Sequence, residues 1–429
     1  MGLGAAVAIA VGTMIGASIF SIFGVGAEIA GRNLPEAFVL SGLLSFMVAY
    51  SYARMGAKIV SNAGPIAFIL EGFGDNVVTG TLSILMWLSY VVSISLFVKG
   101  FAGYFLPLVR IPVTPFTVGT VEVVVISFFT ALNFFGSKAI GRVEFYIVLV
   151  KLSILGIFIV LGMATIKPGL IAPSFNGPHI AGTINAAVVF FLSYMGFGLI
   201  TNASENIRDP QKNVPRAIYI SIALVAVVYI LVAAVAVGNL PLPQLIQAKD
   251  NALAVAARPF LGRFGFVLIS LGALFSISSA LNATIYGGAN IAYALAKDGE
   301  LPRLFERKLW FKSTEGLYIT VLLGLMFALL FNINGIATIT SAVFIAIYIF
   351  VIISHYRVED KVGGNKGLLV LNATVITVVL AILLYYQWHT QRFVFYGTVV
   401  TFFTALAIEL VYRRVTNRGF KKHFYAQKD

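Results

Sequence analysis

GTMIGASIF (residues 12–20) and FFLSYMGFG (residues 190–198) interrupt two otherwise apolar segments, and the expected fold follows from them. Each stretch places glycine, serine or both in the middle of a segment that is long enough to cross a membrane. Such clusters mark interrupted helices in membrane transport proteins. The two stretches lie about 180 residues apart, so they occupy corresponding places in two halves of the chain.

Composition indicates a membrane protein. Of the 429 residues, 59% are hydrophobic and 11% are charged, against about 25% charged in soluble domains. A helix needs about 20 apolar residues to cross the hydrocarbon core. We therefore predict an all-α integral membrane protein of about twelve transmembrane helices. The predicted spans are residues 3–30, 34–57, 77–106, 118–136, 143–166, 180–202, 216–238, 262–296, 316–331, 336–355, 368–388 and 393–412.

The interrupted segments are spans 1 and 6, and each opens a block of five spans. This order predicts a leucine-transporter-type 5+5 inverted repeat with helices 1 and 6 interrupted and two further helices appended. The predicted boundaries are 1–167 for the first repeat, 168–357 for the second, and 358–429 for the appended helices with a basic tail. Gly12 and Gly16 also have a spacing that lets two helices pack closely, so a pure packing role stays open.

The distribution of Lys and Arg predicts the orientation. With a cytoplasmic N-terminus, 21 of these residues face the cytoplasm and seven face outside. We expect a multi-pass protein of the cell membrane with both termini cytoplasmic. The net charge of +13 is spread over membrane boundaries, which favours contact with anionic lipid headgroups over nucleic acid. The chain has no cysteine, and we expect no metal or cofactor.

Ionisable residues within spans are candidates for function. Lys151 lies eleven residues after Ile140 and sixteen before Lys167, so each interface is roughly 15 to 20 Å away. A permanently charged lysine that only cross-links helices is the alternative. Lys99 lies near one end of span 3 and could extend its ammonium to the interface. Glu144 could pair at the interface or take part in a proton pathway, and no Asp or Glu is expected in mid-span.

The sequence resembles the amino acid, polyamine and organocation (APC) transporter family in both halves. The glycine motif of span 1 is one similar segment, and the others are LNFFGSKAIGRVE (residues 132–144), MGFG with SENIRDPQKNVPRA (204–217), and NATIYGGANIAYALAKDGELP (282–302). The resemblance implies a substrate site between the interruptions. The amides of Ala17 and Ser18 would bind the carboxylate, and the carbonyls of Met14, Leu192 and Met195 would bind the ammonium. The other expected site residues are Ile15, Gly16, Phe191, Tyr194 and Gly196, with Phe197 a further candidate for side-chain contact.

The resemblance also implies how ions are coupled. In sodium-coupled proteins of this architecture a cation binds between helices 1 and 8, and Lys151 of helix 5 would lie beside that place. The ammonium would then bond the Gly12 carbonyl and the Ser276 hydroxyl, with Ser279 as a second hydroxyl. Some cation-transporting relatives have a carboxylate where this chain has Gly198, which points to neutral substrates.

Together these features predict a secondary active transporter of small neutral L-amino acids, driven by proton symport with alternating access. An amino acid exchanger is the alternative, and a channel fits less well because the chain has no filter-like repeat. An enzyme is not expected, because the four histidines lie at or beyond span ends and no mid-span carboxylate accompanies them. These histidines are His179, His355, His389 and His423.

Overall fold

The computed structural model describes residues 1–16, 18–134, 140–297, 301–308 and 315–416, which are almost entirely helical. Within these ranges, eleven helical stretches are long and apolar enough to cross a membrane. The predicted span near 316–331 is the exception, because the helix Glu315–Leu330 has only 16 residues and rises about 24 Å. The all-α membrane architecture is confirmed, with eleven full spans and one shorter apolar helix in the described ranges.

Twenty α-helices make up the described chain. The first half contains α1 (Leu3–Met14), α2 (Ser18–Ser21), α3 (Phe23–Ala30), α4 (Leu34–Lys58), α5 (Pro65–Phe73), α6 (Val77–Leu108), α7 (Pro115–Asn133) and α8 (Ile140–Met163). The second half contains α9 (Pro168–Ile171), α10 (Gly177–Phe190), α11 (Gly198–Asn202), α12 (Pro210–Asn239), α13 (Leu242–Ala248), α14 (Ala252–Ala256), α15 (Arg258–Lys297), α16 (Glu315–Leu330), α17 (Ile333–Arg357), α18 (Glu359–Val362), α19 (Lys366–Thr390) and α20 (Arg392–Thr416).

Span 1 is interrupted where the glycine motif predicts. Helix α1 ends at Met14, and Ile15 leaves the helical region with φ −78° and ψ 16°. Helix α2 starts at Ser18, and α3 completes the span. Glycine weakens a helix because it has the largest backbone entropy to lose, so Gly12 and Gly16 favour a break at this point.

Span 6 is interrupted in a different form. Between α10 and α11 the chain forms a 3-10 helix over Phe191–Phe197. All seven of its residues are buried, and unpaired backbone groups there would cost several kcal/mol each. The tighter i to i+3 hydrogen bonds of a 3-10 helix keep these backbone groups paired. Span 6 therefore continues as a narrower helix over these residues, whereas the helix of span 1 ends at its break.

The packing of the spans follows the two-half organisation. Helix α4 packs mainly on α12, and α6 packs on α15, which pairs spans 2 and 7 and spans 3 and 8. The inner part of span 1 likewise contacts the 3-10 segment of span 6. No described helix crosses the boundary at 167/168 or at 357/358, although the repeat limits themselves stay a prediction.

Two helices occupy the centre of the bundle. In their most apolar stretches, 83% of α6 and 78% of α17 is buried, against 22% of α7 and 28% of α19 and α20. The interrupted spans pack against these central helices. We call the membrane side that holds Met1 and Lys58 the N-terminal side, and the side that holds Arg32 and Lys249 the far side.

Candidate functional site

A cavity of about 140 Å³ lies between the two interrupted spans and the central helices. It is similar in size to a protein cavity that admits benzene. Its wall is mainly apolar, and none of the described residues that line it carries a charge. The lining residues are Thr13, Met14, Tyr52, Pro65, Met86, Tyr90, Ser93, Leu96, Phe97, Leu192, Met195, Gly196, Gly198, Leu199, Asn202, Ala283, Thr284, Gly287, Phe344 and Tyr348.

Some of the site residues expected from the sequence line this cavity, and others do not. Met14, Leu192, Met195 and Gly196 are part of the wall. Ser18 opens α2, and Ala17 lies outside the described residues. The remaining expected residues, Ile15, Gly16, Phe191 and Tyr194, are buried outside the wall.

Two of these aromatic rings have structural partners elsewhere. The Tyr194 hydroxyl donates to the Phe38 carbonyl at 3.1 Å, which directs the ring toward α4. Phe191 packs edge to face on Tyr348 with 5.6 Å between ring centroids, so it supports the wall from behind. Both are therefore packing residues in this conformation.

Gly16 and Gly196 mark close approaches between helices. A Cβ on Gly16 would lie 2.8 Å from the Ala280 Cβ on α15. A Cβ on Gly196 would lie 2.9 Å from the Met14 nitrogen and 3.0 Å from the Ala10 oxygen. The geometry thus supports the packing role that the sequence left open for Gly16, and it gives Gly196 a packing role as well.

The backbone carbonyls released by the break in span 1 have side-chain donors. Ser276 on α15 donates to the Ile15 carbonyl at 2.6 Å and lies 3.3 Å from that of Gly16. The Tyr229 hydroxyl donates to the Met14 carbonyl. Hydroxyls on spans 7 and 8 therefore bond carbonyls at the break in span 1.

Lys151 is buried in the bundle with 1% of its surface exposed. Its Nζ donates to the Gly12 carbonyl at 3.0 Å and so joins α8 to the last turn of α1. Ser276, the other expected partner, bonds the two carbonyls after the break, and Ser279 follows it one turn later on α15. The lysine therefore lies beside the interruption, as the resemblance implies, while its coupling role stays a prediction.

The far side of the bundle is tightly packed above the cavity. A Cβ on Gly24 of α3 would overlap the Lys249 carbonyl oxygen, and one on Gly103 of α6 would lie 2.5 Å from the Asp250 Cβ. The segment Lys249–Asn251 is thus wedged between spans 1 and 3. Burial raises the pKa of Asp250 to about 6, opposed by the charges of Lys99 and Lys249.

The N-terminal side is more open. A second cavity, of about 420 Å³, shares Met86 and Asn202 with the first. Two loops beside this cavity are joined by hydrogen bonds. Ser61 N donates to Ser204 Oγ at 3.0 Å, and Asn62 Nδ2 donates to Glu205 at 3.1 Å. The first cavity therefore adjoins a second cavity on the N-terminal side, whereas the far side is closely packed.

An ion pair inside the membrane-spanning region corrects two expectations. Glu122 lies within two residues of the centre of α7 with its side chain 1% exposed, so the expectation of no mid-span carboxylate is wrong. Lys99 Nζ lies 2.9 Å from Glu122 Oε1 and donates to the Ala328 carbonyl at 2.6 Å. The ammonium therefore turns into the bundle, because a buried carboxylate stabilises it there.

Most of the cavity wall was not identified from the sequence. Its residues on α6, α15 and α17 belong to helices that are apolar on every face, so no periodicity separates cavity-lining positions from lipid-facing ones. A polar residue such as Thr284 or Ser93 was the only local signal, and serine and threonine also occur at ordinary helix contacts.

Comparison with known proteins agrees with this architecture. The chain matches the amino acid permease family over residues 1–408. "Uncharacterized protein MJ0609" of Methanocaldococcus jannaschii is 64% identical to it over 98% of this chain and 97% of its own length. "Inner membrane transport protein YbaT" of Escherichia coli is 30% identical over 96% of both chains. The branched-chain amino acid permease BcaP of Bacillus subtilis is 24% identical over 94% of this chain and 89% of its own length.

The family description and the names of the Escherichia coli and Bacillus subtilis relatives indicate transport and not enzymatic catalysis. The family match extends from span 1 to span 12 and includes both interruptions and the whole cavity wall. The resemblance to the APC family is thereby confirmed. The chain belongs to the amino acid permease family and is a multi-pass membrane transporter.

Proposed function

We propose that this transporter moves small neutral L-amino acids together with protons. The observation that carries the proposal is the uncharged cavity of about 140 Å³ at the interruption of span 1. A zwitterion can be paired there by backbone groups, whereas a charged side chain would lack a counter-ion in a medium of low dielectric constant. The volume favours small side chains.

Backbone groups supply the polar contacts. Ser18 opens α2, where N–H groups lack helical partners, and its amide would bind the carboxylate. The amide of Ala17, which lies outside the described residues, is the second proposed carboxylate donor. The carbonyls of Met14, Leu192 and Met195 would bind the ammonium. Met14 is the last residue of α1, so its carbonyl lies at the negative end of that helix.

Tyr348 adds a donor that the sequence did not suggest. Its side chain is 1% exposed and lines the cavity, and its hydroxyl has no hydrogen-bond partner in the described part of the chain. A buried hydroxyl without a partner costs free energy. We propose that a substrate oxygen, or a water that replaces it, satisfies this group.

Lys151 would couple the proton. Its bond to Gly12 joins α8 to the part of span 1 that ends at the break. A protonated ammonium would hold this contact most strongly, since charged hydrogen bonds are about twice as strong as neutral ones. Loss of the proton would loosen α1 from α8 and favour a different access state.

The asymmetry of the two sides supports alternating access as the mechanism. In this conformation the wedge at Lys249–Asn251 closes the far side, and the second cavity adjoins the N-terminal side. We place both termini in the cytoplasm of a cell with this protein in its cell membrane, so the cavity would discharge inward. Cysteines at Ala248 and Asn365 in this cysteine-free chain should label from opposite sides.

Uptake by the purified protein in proteoliposomes tests the proposal. Alanine should accumulate against its gradient when only a proton gradient is imposed, without sodium. Lys151→Ala should bind alanine and lose this accumulation. Uptake that requires alanine on the opposite side would indicate an exchanger, and uptake that requires sodium would rule out the proton assignment.

A further inference from the structure

A third cavity lies on the N-terminal side of the bundle and shares no lining residue with the first. It has a volume of about 490 Å³. Its wall is built from the end of α4 and the loop after it, from α5 and from α18. Lys58 is the last residue of α4, so the cavity lies where span 2 leaves the hydrocarbon core. Lipid headgroups are found at this depth.

Three charged side chains line this cavity and leave one positive charge in excess. They are Lys58, Glu71 and Lys361, two cations against one anion. Lys361 Nζ lies 2.9 Å from Glu71 Oε1, which uses one of its three N–H donors. Lys58 has no hydrogen-bond or ion-pair partner in the described part of the chain. Its ammonium is therefore available to an anion in the cavity.

The charges next to the cavity do not cancel this excess. Lys366 Nζ lies 3.3 Å from Glu359 Oε2 and 3.4 Å from Asp360 Oδ1, so these three residues sum to one negative charge. Arg54, one turn before Lys58 on α4, offsets that charge. A pocket with surplus positive charge at the end of a membrane span is the kind of site that binds anionic headgroups.

The loop after α4 joins the third cavity to the second, because Ser61 lines both. The Ser61 N–H donates to Ser204 Oγ at 3.0 Å, and the Ser61 carbonyl accepts from the same hydroxyl at 3.1 Å. Asn62 N also donates to Glu205 Oε1 at 3.1 Å. A ligand that holds this loop would therefore also act on the hydrogen bonds beside the second cavity.

We propose that the third cavity binds a phosphate group, carried by an anionic lipid headgroup or present as free phosphate, between Lys58 and Lys361. Each ammonium would donate a charge-assisted hydrogen bond to a phosphate oxygen. Glu71 would oppose the anion, and its repulsion limits the affinity. The bound phosphate would join α18 to the loop after α4 and hold that loop against the segment that follows α11. The site is separate from the substrate cavity, so its test needs no amino acid.

Protection of a single cysteine tests this proposal. Val60→Cys places one thiol in the wall of the cavity, since the chain has no other cysteine. Its labelling by a neutral maleimide should slow about threefold in mixed micelles that contain phosphatidylglycerol at twice its Kd, compared with phosphatidylcholine alone. Gln211→Cys, exposed on the same side but outside the cavity, controls for surface effects, and its labelling should not slow.

Lys58→Gln and Lys212→Gln, each combined with the cysteine at Val60, form a matched pair. Both remove one exposed ammonium from the N-terminal side, but Lys212 does not line the cavity. Loss of a charged hydrogen bond raises the Kd about tenfold, so protection should almost disappear in Lys58→Gln and persist in Lys212→Gln. Glu71→Gln removes the opposing charge and should strengthen protection.

Inorganic phosphate added to phosphatidylcholine micelles distinguishes the two sources. Protection by phosphatidylglycerol alone identifies a lipid headgroup as the ligand, whereas protection by inorganic phosphate, with or without the lipid effect, identifies a site for free phosphate. Absence of protection by both probes would overturn the proposal. So would protection that is the same in Lys58→Gln as in Lys212→Gln, or that is no stronger in Glu71→Gln.

Discussion

The ion pair between Lys99 and Glu122 allows a prediction about stability, because the burial of each side chain sets how much its removal should cost. Glu122 is 1% exposed and Lys99 is 16% exposed, and the lysine has a second partner in the Ala328 carbonyl. Lys99→Met leaves a fully buried carboxylate without a counter-charge. Breaking a buried pair in this way costs about 3 to 5 kcal/mol of the free energy of unfolding.

The reverse change should cost less. In Glu122→Gln the ammonium keeps the Ala328 carbonyl and has a route toward solvent along its stem, so we expect a loss of about 1 to 2 kcal/mol. The double variant removes both charges and should be more stable than Lys99→Met alone. This non-additivity is the signature of an interacting pair.

Unfolding in mixed micelles with increasing denaturing detergent, followed by tryptophan fluorescence, measures these differences. The four proteins, wild type, two single variants and the double variant, form a complete double-mutant cycle. If Glu122→Gln were the more damaging single change, or if the two losses simply added, the argument from unequal burial would be refuted.

Three further predictions concern other parts of the molecule. Gly196→Ala should lower the free energy of unfolding by about 1 to 3 kcal/mol, because its Cβ would meet backbone atoms of Met14 and Ala10. Gly156→Ala is the control, because the space around its Cβ is open. It should be neutral or stabilising in the same unfolding assay. Asp250 has a pKa raised to about 6 from 3.8, so its contribution to stability is present below pH 4 and is lost as the pH rises through 6. We expect the free energy of unfolding to decrease by roughly 1 to 2 kcal/mol between pH 4 and pH 6. The same pH dependence in Asp250→Asn would contradict this prediction. Tyr348→Phe should raise the Kd for alanine about fivefold, and an unchanged Kd would show that substrate does not use this hydroxyl.

The sequence was sufficient to predict the eleven full spans of the described ranges and the place of the first interruption. Hydropathy is a local property, and the hydrocarbon thickness sets the length of a span, so bounds within a few residues follow from composition. Gly12 and Gly16 weaken span 1 where they stand, for reasons internal to the backbone. The depth of Lys151 follows in the same way, from counting residues along a helix.

Only the tertiary structure shows which side chains on different spans contact each other. The pairing of Lys99 with Glu122, the bond from Tyr229 to Met14 and the position of Tyr348 in the cavity wall join residues from different spans. In a membrane protein the lipid-facing and protein-facing sides of a helix are both apolar, so no alternation in the sequence shows which side meets a neighbour. Those contacts depend on the rotation and crossing of each helix, which packing between distant segments determines.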